Sequence, residues 1–323
     1  MVKKTKLSFQ NASYYTCLLI MLLLTACSFQ SDITTMDKSI YQDFRESQKN
    51  FISSDGIIKY IDEGDGPVIL LLHGIPTSSW LYRKMIPLIT AKGYRVISPD
   101  MLGFGSSDNP VNPELYSPDQ HAKRIAELMS YLEISEWTHV MHDVGGLWTW
   151  ELLKIVPDRI SGLVVLNTIL YEEGFKPPVK MRPGAFAKFS MWLYRQSFSS
   201  RIMLKQLFKN ALSINQISSD ELEGYLTPLI EGKTNGMYNF FTSATRQFPD
   251  YAPTFEKVEV PKLLIWGKDD SMLLLNPQLS KIKQQMLIKP ENIHLLEANH
   301  FIQEDAPQLV VAIILNFLSQ PSI

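Results

Sequence analysis

The pentapeptide His142-Asp143-Val144-Gly145-Gly146 joins an apolar run that ends Thr138-His139-Val140-Met141 to a helix-like stretch over 147–156. An acidic side chain therefore sits on a tight turn from strand to helix. The two glycines let the backbone turn sharply without Cβ clashes, and the new helix N-terminus aims free N–H groups at whatever that side chain attacks. A carboxylate here has two uses: it caps the helix, as Asp commonly does, or it acts as a nucleophile. Toward saturated carbon a carboxylate nucleophile forms an ester, and water can attack the ester carbonyl to free the alcohol and restore the enzyme. A serine in its place would form an ether, which water activated by histidine does not release at a useful rate. Asp143 thus suits the opening of epoxides or the displacement of halide from sp³ carbon.

Such a nucleophile needs a base. Leu263-Leu264-Ile265-Trp266-Gly267-Lys268-Asp269-Asp270 is a buried-strand pattern followed by a loop with two carboxylates, and Leu295-Leu296-Glu297-Ala298-Asn299-His300 repeats that logic with a histidine. Both loops fall at the carboxyl ends of parallel strands, where open α/β sheets place their sites. His300 is read as the base that deprotonates the attacking water. Asp270, preferred to Asp269 on its Gly-x-x-Asp spacing, holds the imidazole in the right tautomer and stabilises the imidazolium. The negative oxygen of the tetrahedral intermediate needs two N–H donors, and the backbone N–H groups of Ile75 and Val144 are the candidates. His73, in His73-Gly74-Ile75-Pro76, is read as structural, bonding nearby loops.

These loops need a frame. Strands are expected at 57–62, 68–72, 95–98, the run carrying Asp143, 162–167, 262–266 and 293–297. Helices are expected over 117–132, with Ser117 as N-cap, Pro118 in the first turn and Gln120 three residues on, and over 307–318. Strands alternating with helices imply a mostly parallel sheet covered on both faces. Residues 168–246 break the alternation with helix-like patterns and many aromatics, including Trp192, Tyr194, Tyr225, Tyr238, Phe240 and Phe241. This stretch reads as a helical cap roofing an apolar pocket over Asp143. The core is then 50–167 together with 247–323.

The first residues stand apart. Lys3, Lys4 and Lys6 precede a short apolar run at 17–26, closed by Leu24-Thr25-Ala26-Cys27. The run is too short to span a bilayer but long enough for a secretory signal. The tetrapeptide resembles the lipobox of bacterial lipoproteins. That resemblance implies a signal peptide over 1–26, lipid on the Cys27 sulfur, and a place in the bacterial cell envelope, with Ser28 pointing to the outer membrane. Residues 27–49 read as a polar tether. Both cysteines, Cys17 and Cys27, lie in this leader region, so the domain itself contains no disulfide. Beyond residue 26, 28 basic face 33 acidic residues, a formal −5, and nothing in that balance suggests nucleic acid as a partner. No cofactor is expected either. Gly103-Phe104-Gly105-Ser106-Ser107-Asp108 lacks the third glycine of a dinucleotide fingerprint, and no phosphate loop occurs. His139 and His142, three apart on a strand, face opposite sides and cannot pair on a metal.

Taken together, His73-Gly74-Ile75-Pro76-Thr77-Ser78-Ser79-Trp80-Leu81-Tyr82-Arg83-Lys84-Met85, Asp100-Met101-Leu102-Gly103-Phe104-Gly105-Ser106-Ser107-Asp108, the Asp143 turn and His300-Phe301-Ile302-Gln303-Glu304-Asp305-Ala306-Pro307 resemble the haloalkane dehalogenase and epoxide hydrolase branch of the α/β-hydrolase superfamily. The match spans about residues 50–318, in the superfamily's order of nucleophile, acid and histidine. It implies the α/β-hydrolase fold: a mostly parallel eight-stranded sheet, helices on both faces and an inserted helical cap.

Two departures separate the branch's chemistries. Dehalogenases usually hold the halide with a Trp after the nucleophile and a second donor, an Asn in the His-Gly-x-Pro loop or a cap Trp. Val144 and Ile75 occupy those loop positions here, and neither side chain donates a hydrogen bond. Trp192 is the cap's candidate donor. Epoxide hydrolases instead protonate the ring oxygen from a cap tyrosine. Gly236-Met237-Tyr238-Asn239-Phe240-Phe241 resembles their Asn-aromatic-Tyr signature with Phe241 where the tyrosine belongs. Tyr171, Tyr194, Tyr225 and Tyr238 are the remaining candidates, with Tyr238 and Tyr194 put forward.

The expectation is a membrane-tethered hydrolase that forms an alkyl ester on Asp143, acting like an epoxide hydrolase on small apolar electrophiles. Two alternatives stay open: a haloalkane dehalogenase with an atypical halide site, and a surface lipoprotein that keeps the fold for binding alone. The complete set of Asp143, Asp270 and His300 argues against the last.

Overall fold

The computed structural model describes residues 39–176, 180–245 and 248–320. The proposed signal peptide and Cys27 lie outside them. Strands β1 (Lys49–Ser53), β2 (Gly56–Glu63), β3 (Val68–Leu72), β4 (Arg95–Pro99), β5 (Trp137–Asp143), β6 (Ile160–Thr168), β7 (Lys262–Gly267) and β8 (Ile293–Leu296) form one eight-stranded sheet. Its order is β1-β2-β4-β3-β5-β6-β7-β8. β1 and β2 run antiparallel at one edge, and every pairing from β4 to β8 is parallel. β5 and β7 are buried along their whole length, because helices cover both faces of the sheet.

The helices are α1 (Ile40–Ser47), α2 (Ile86–Thr90), α3 (Pro118–Tyr131), α4 (Gly145–Ile155), α5 (Ala185–Tyr194), α6 (Ser197–Ala211), α7 (Ser219–Ile230), α8 (Asn235–Asn239), α9 (Ala252–Lys257), α10 (Leu279–Met286), α11 (Ile302–Asp305) and α12 (Pro307–Leu318). α5 to α8 fall between β6 and β7 in the chain and make the cap. α7 starts on a full capping box, in which Ser218 accepts from Glu221 N and the Glu221 carboxylate accepts from Ser218 N. After α8 the helix widens into a π-helical turn over Phe240–Ala244.

Two local expectations are corrected. The tether expected to run through residue 49 is already helical from Ile40, capped by Ser39, and Lys49 opens β1. Tyr41 and Phe44 set their rings edge-on to Trp80 at 5.2 and 5.0 Å, and Arg45 pairs with Glu231 at 2.7 Å. Two aromatics one turn apart anchor a helix too short to show a hydrophobic period. At α3, the Ser117 hydroxyl does not accept from the backbone of the first turn. Its hydroxyl donates to Asp119 Oδ1 at 2.6 Å, and Gln120 Nε2 donates to the other Asp119 oxygen, so Asp119 draws both side chains away from the cap.

Candidate active site

The end of β5 delivers Asp143 in a left-handed backbone conformation, φ +50°, which costs a non-glycine residue on the order of 1 kcal/mol. The turn is held by its own carbonyl, which accepts from Thr168 Oγ1 at 2.5 Å and from Ile169 N at 3.2 Å. A Cβ at Gly146 would lie 2.2 Å from that Thr168 hydroxyl, and one at Gly74 would lie 2.4 Å from Asp143 Oδ2. The His-Gly-Ile-Pro loop can therefore close on the carboxylate only with glycine at 74. Ile75 N donates to Asp143 Oδ2 at 2.8 Å, and the Val144 N–H, next along the chain, also favours the charged form of this carboxylate. The two N–H groups named from the sequence thus converge on one side chain. Burial raises the Asp143 pKa, opposed by the charge of His300 and these two donors.

His300 faces the other carboxylate oxygen, with Nε2 3.9 Å from Asp143 Oδ1. Its Nδ1 bonds Asp270 Oδ2 at 2.8 Å. Burial would lower the His300 pKa, but the Asp270 carboxylate outweighs it and the net shift is upward. Asp270 is driven the other way. Burial would raise it, and the His300 charge, Asn167 Nδ2 at 2.8 Å and the N–H groups of Met272 and Leu273, each at 2.9 Å, hold it low. Asp269 points outward and accepts from Ser213 Oγ. The structure therefore brings together Asp143, Asp270, His300, Ile75 and Val144.

Several supporting residues were missed in the sequence. Asn167, at the end of β6, grips Asp270 with its Nδ2 and accepts from Gly267 N with its Oδ1 at 3.0 Å. A polar residue ending an apolar strand run on the catalytic edge was its available signal. His142 lies on the opposite side of β5 from His139 and is kept neutral by burial. Its Nε2–H donates to the carbonyl of His300 at 3.0 Å. Asp305 accepts from the N–H groups of Ser213, Ile214, Asn215 and Asn299, tying the histidine loop to the cap. His73, by contrast, is read from the sequence as bonding nearby loops; its pKa is lowered to about 4 by burial, and it accepts from Met101 N through Nε2 and donates through Nδ1 to the Gly74 carbonyl.

A cavity of about 100 Å³ covers Asp143 and His300, lined otherwise by apolar side chains such as Phe175, Leu204, Met237, Phe240 and Phe241, and by Tyr194. An apolar cavity of roughly 150 Å³ holds benzene, so this one suits a few heavy atoms. A larger cleft, about 550 Å³, opens on the outside of the cap between α6 and α7 and contains none of these groups. Of the four tyrosines, Tyr194 lines the cavity. Burial raises its pKa, and among the described residues its hydroxyl has no hydrogen-bond partner. The Tyr171 hydroxyl donates to Gln285 and that of Tyr225 to Glu304. Tyr238, half-buried on α8, does not line the cavity. Trp192 is 45% exposed and stacks on Phe189, outside the cavity.

Arg83 and Lys84 clamp cap to core. Arg83 reaches Glu221 of α7 at 2.8 Å and the buried Glu304 of α11, and its guanidinium lies 4.5 Å from the Trp80 ring. Lys84 contacts the same two carboxylates at 2.6 and 2.8 Å.

A family model described as the alpha/beta hydrolase fold matches residues 67–307. The haloalkane dehalogenase of Mycolicibacterium paratuberculosis is 33% identical over 275 residues, covering 79% of this chain and 85% of that protein. The bifunctional epoxide hydrolase 2 of Sus scrofa is 21% identical over 295 residues, covering 81% of this chain and 53% of that protein. An epoxide hydrolase structure from Vigna radiata superposes with a TM-score of 0.66 at 19% identity, covering 84% of this chain and 97% of the other, a likeness of fold. The chain belongs to the α/β-hydrolase family, in its haloalkane dehalogenase and epoxide hydrolase branch, and is a hydrolase.

Proposed function

We propose that this hydrolase opens small apolar epoxides through an ester on Asp143. The observation that carries the reading is the cavity lining: besides Asp143 and His300, the described lining side chain that can donate a hydrogen bond is Tyr194. Asp143 Oδ1, the oxygen not held by Ile75 N, attacks a ring carbon and the carbon–oxygen bond breaks. The Tyr194 phenol gives its proton to the departing ring oxygen, which stays on the substrate. His300 Nε2 then takes a proton from water whose oxygen attacks Asp143 Cγ. Asp143 Oδ2 is already bonded by Ile75 N, so the negative charge that develops there meets a donor in place. Collapse breaks the ester bond, and the leaving alkoxide takes the proton from His300. The carboxylic acid left on Asp143 returns its proton to the Tyr194 phenolate, and the sum is epoxide plus water to diol.

A second reading, halide displacement, is favoured by the 33% identity to a haloalkane dehalogenase. On that reading no Trp or Asn among the described residues lining the cavity receives the halide. For location, we carry forward the lipid-anchored reading: Cys27 bears the lipid, and the domain sits in the bacterial cell envelope, on the outer membrane. The support is the lipobox-like sequence alone.

The test is His300→Ala, incubated with epoxides and with haloalkanes and weighed intact. Epoxide attack adds the whole substrate mass to the peptide containing Asp143. Haloalkane attack adds the alkyl group without its halogen. An epoxide adduct that persists is the expected result. An adduct from haloalkanes alone moves the assignment to dehalogenation, and no adduct from either, with inactive wild type, overturns both.

A further inference from the structure

The cap carries a charge and polarity pattern that the Asp143 chemistry does not use. Residues 174–219 contain eight Lys or Arg and no Asp or Glu, in a chain whose formal net charge is −2. Within that stretch α5 turns Ala187, Met191 and Tyr194 inward and leaves Phe186, Phe189 and Trp192 on its outer side, Phe186 at 69% exposure. α6, packed against α5, adds exposed Phe198 and Ile202 beside Lys205 and Lys209. Arg195 is taken up by Thr234 and Asn235, and Arg201 by Glu223. Among the described residues Arg182, Lys188, Lys205 and Lys209 have no acidic partner. Aromatic rings spaced along one side of a helix and flanked by unpaired cations are the arrangement that settles into a headgroup region, apolar side down and cations against anionic lipid. No helix among the described residues is long and apolar enough to cross a membrane, so such a contact is peripheral.

We infer that the outer face of α5, with the exposed part of α6, docks on the surface of an anionic lipid bilayer. Charge complementarity selects that occupant: a wholly cationic segment demands a polyanionic surface, and rings on the same side demand an apolar layer beneath it. Docking there sets the roof of the Asp143 pocket against the bilayer, where apolar electrophiles concentrate. That corollary rests on the proposed hydrolysis; the docking and its test do not.

The protein supplies its own probe. Of its six tryptophans, Trp192 is exposed at 45% and the other five are buried. The full chain is mixed with vesicles of phosphatidylcholine alone, or of phosphatidylcholine with phosphatidylglycerol, both carrying brominated acyl chains. On the anionic vesicles Trp192 emission is expected to shift to the blue and be quenched, and Trp192→Phe to remove the vesicle-dependent change. Arg182→Gln with Lys188→Gln should weaken binding roughly tenfold or more, and raised salt should weaken it further. Phe186→Ser with Phe189→Ser should lessen the quenching while leaving turnover of a soluble substrate unchanged. Vesicles that sediment with the protein while Trp192 stays unquenched mean that another segment holds it, and the inference falls. Equal quenching on neutral vesicles removes the anionic requirement and overturns it. A blue shift that grows with protein concentration without lipid means a second copy covers the face, which also overturns it.

Discussion

On the sheet side of the pocket each functional group is fixed by a neighbouring strand or loop: Asp143 by Ile75 N and Thr168, Asp270 by Asn167, His300 by Asp270 and His142. On the cap side the lining is apolar, and a single phenol, Tyr194, enters it with no partner among the described residues. On the proposed mechanism the floor makes and hydrolyses an ester, work that does not depend on which electrophile supplied the carbon, and the roof meets the leaving atom. The difference implies that floor substitutions should stop all substrates alike, whereas roof substitutions should sort them.

Asp143→Ala gives the largest effect. Turnover of every electrophile should fall by on the order of 10⁴-fold or more, with no covalent mass on the protein. A variant that still hydrolyses one class of substrate would break the comparison at its base. Asp270→Asn comes next, at about 10³- to 10⁴-fold, because an amide favours the wrong His300 tautomer. The pH profile carries a second readout. Asp270 raises the His300 pKa against burial, and the proposed base role needs His300 neutral, so activity should climb with pH through that raised value. Without the Asp270 charge the acidic limb should move to lower pH while the plateau drops. A limb that stays in place, measured from kcat against pH, would separate His300 from that titration.

The floor was more legible in the sequence than the roof, for a physical reason. Asp143 ends an apolar strand run, Asp270 and His300 lie in the loops just after two others, and parallel strands deliver their carboxyl ends to one edge whatever else the fold does. The N–H pair of Ile75 and Val144 follows from the same register. Cap helices carry no such rule. Tyr194 and Tyr238 both sit on short aromatic helices, and which of them looks inward depends on the packing of α5 and α8, which a 3.6-residue period does not fix in a segment aromatic all round. Asn167 lay in the open as a polar strand end, but its partner across β7 is a tertiary fact. The helix at Ile40 escaped because what anchors it, such as the Tyr41 and Phe44 rings on Trp80 and the Arg45–Glu231 pair, is tertiary and makes no sequence pattern.

Tyr194→Phe sharpens the comparison from the roof. Loss of the phenol proton should slow adduct formation from epoxides by about 10²-fold, read as the rate of mass gain in a His300→Ala background. Haloalkane attack needs no proton, so its rate should change little. Equal slowing of both would mean that Tyr194 shapes the cavity and protonates nothing, and Tyr238→Phe serves as the control that should leave both rates alone.

Glu221→Gln probes the joint between the two halves and should have the smallest effect. Burial would raise the Glu221 pKa, but Lys84, Ser218 N and Arg83 lower it from an ordinary 4.5 to about 2. A carboxylate depressed in the folded state adds stability that is fully present above about pH 4.5 and is lost as pH falls through about 2. The glutamine variant should therefore melt about 2 °C lower at neutral pH. The gap to wild type should close between pH 4.5 and 2. Because Glu304 keeps its hold on Arg83 and Lys84, the floor should stay intact, so kcat should hold while KM rises as the cap loosens. A fall in kcat with unchanged KM would show that α7 positions the catalytic loop rather than the roof, and the division between floor and roof would have to be redrawn at Glu304.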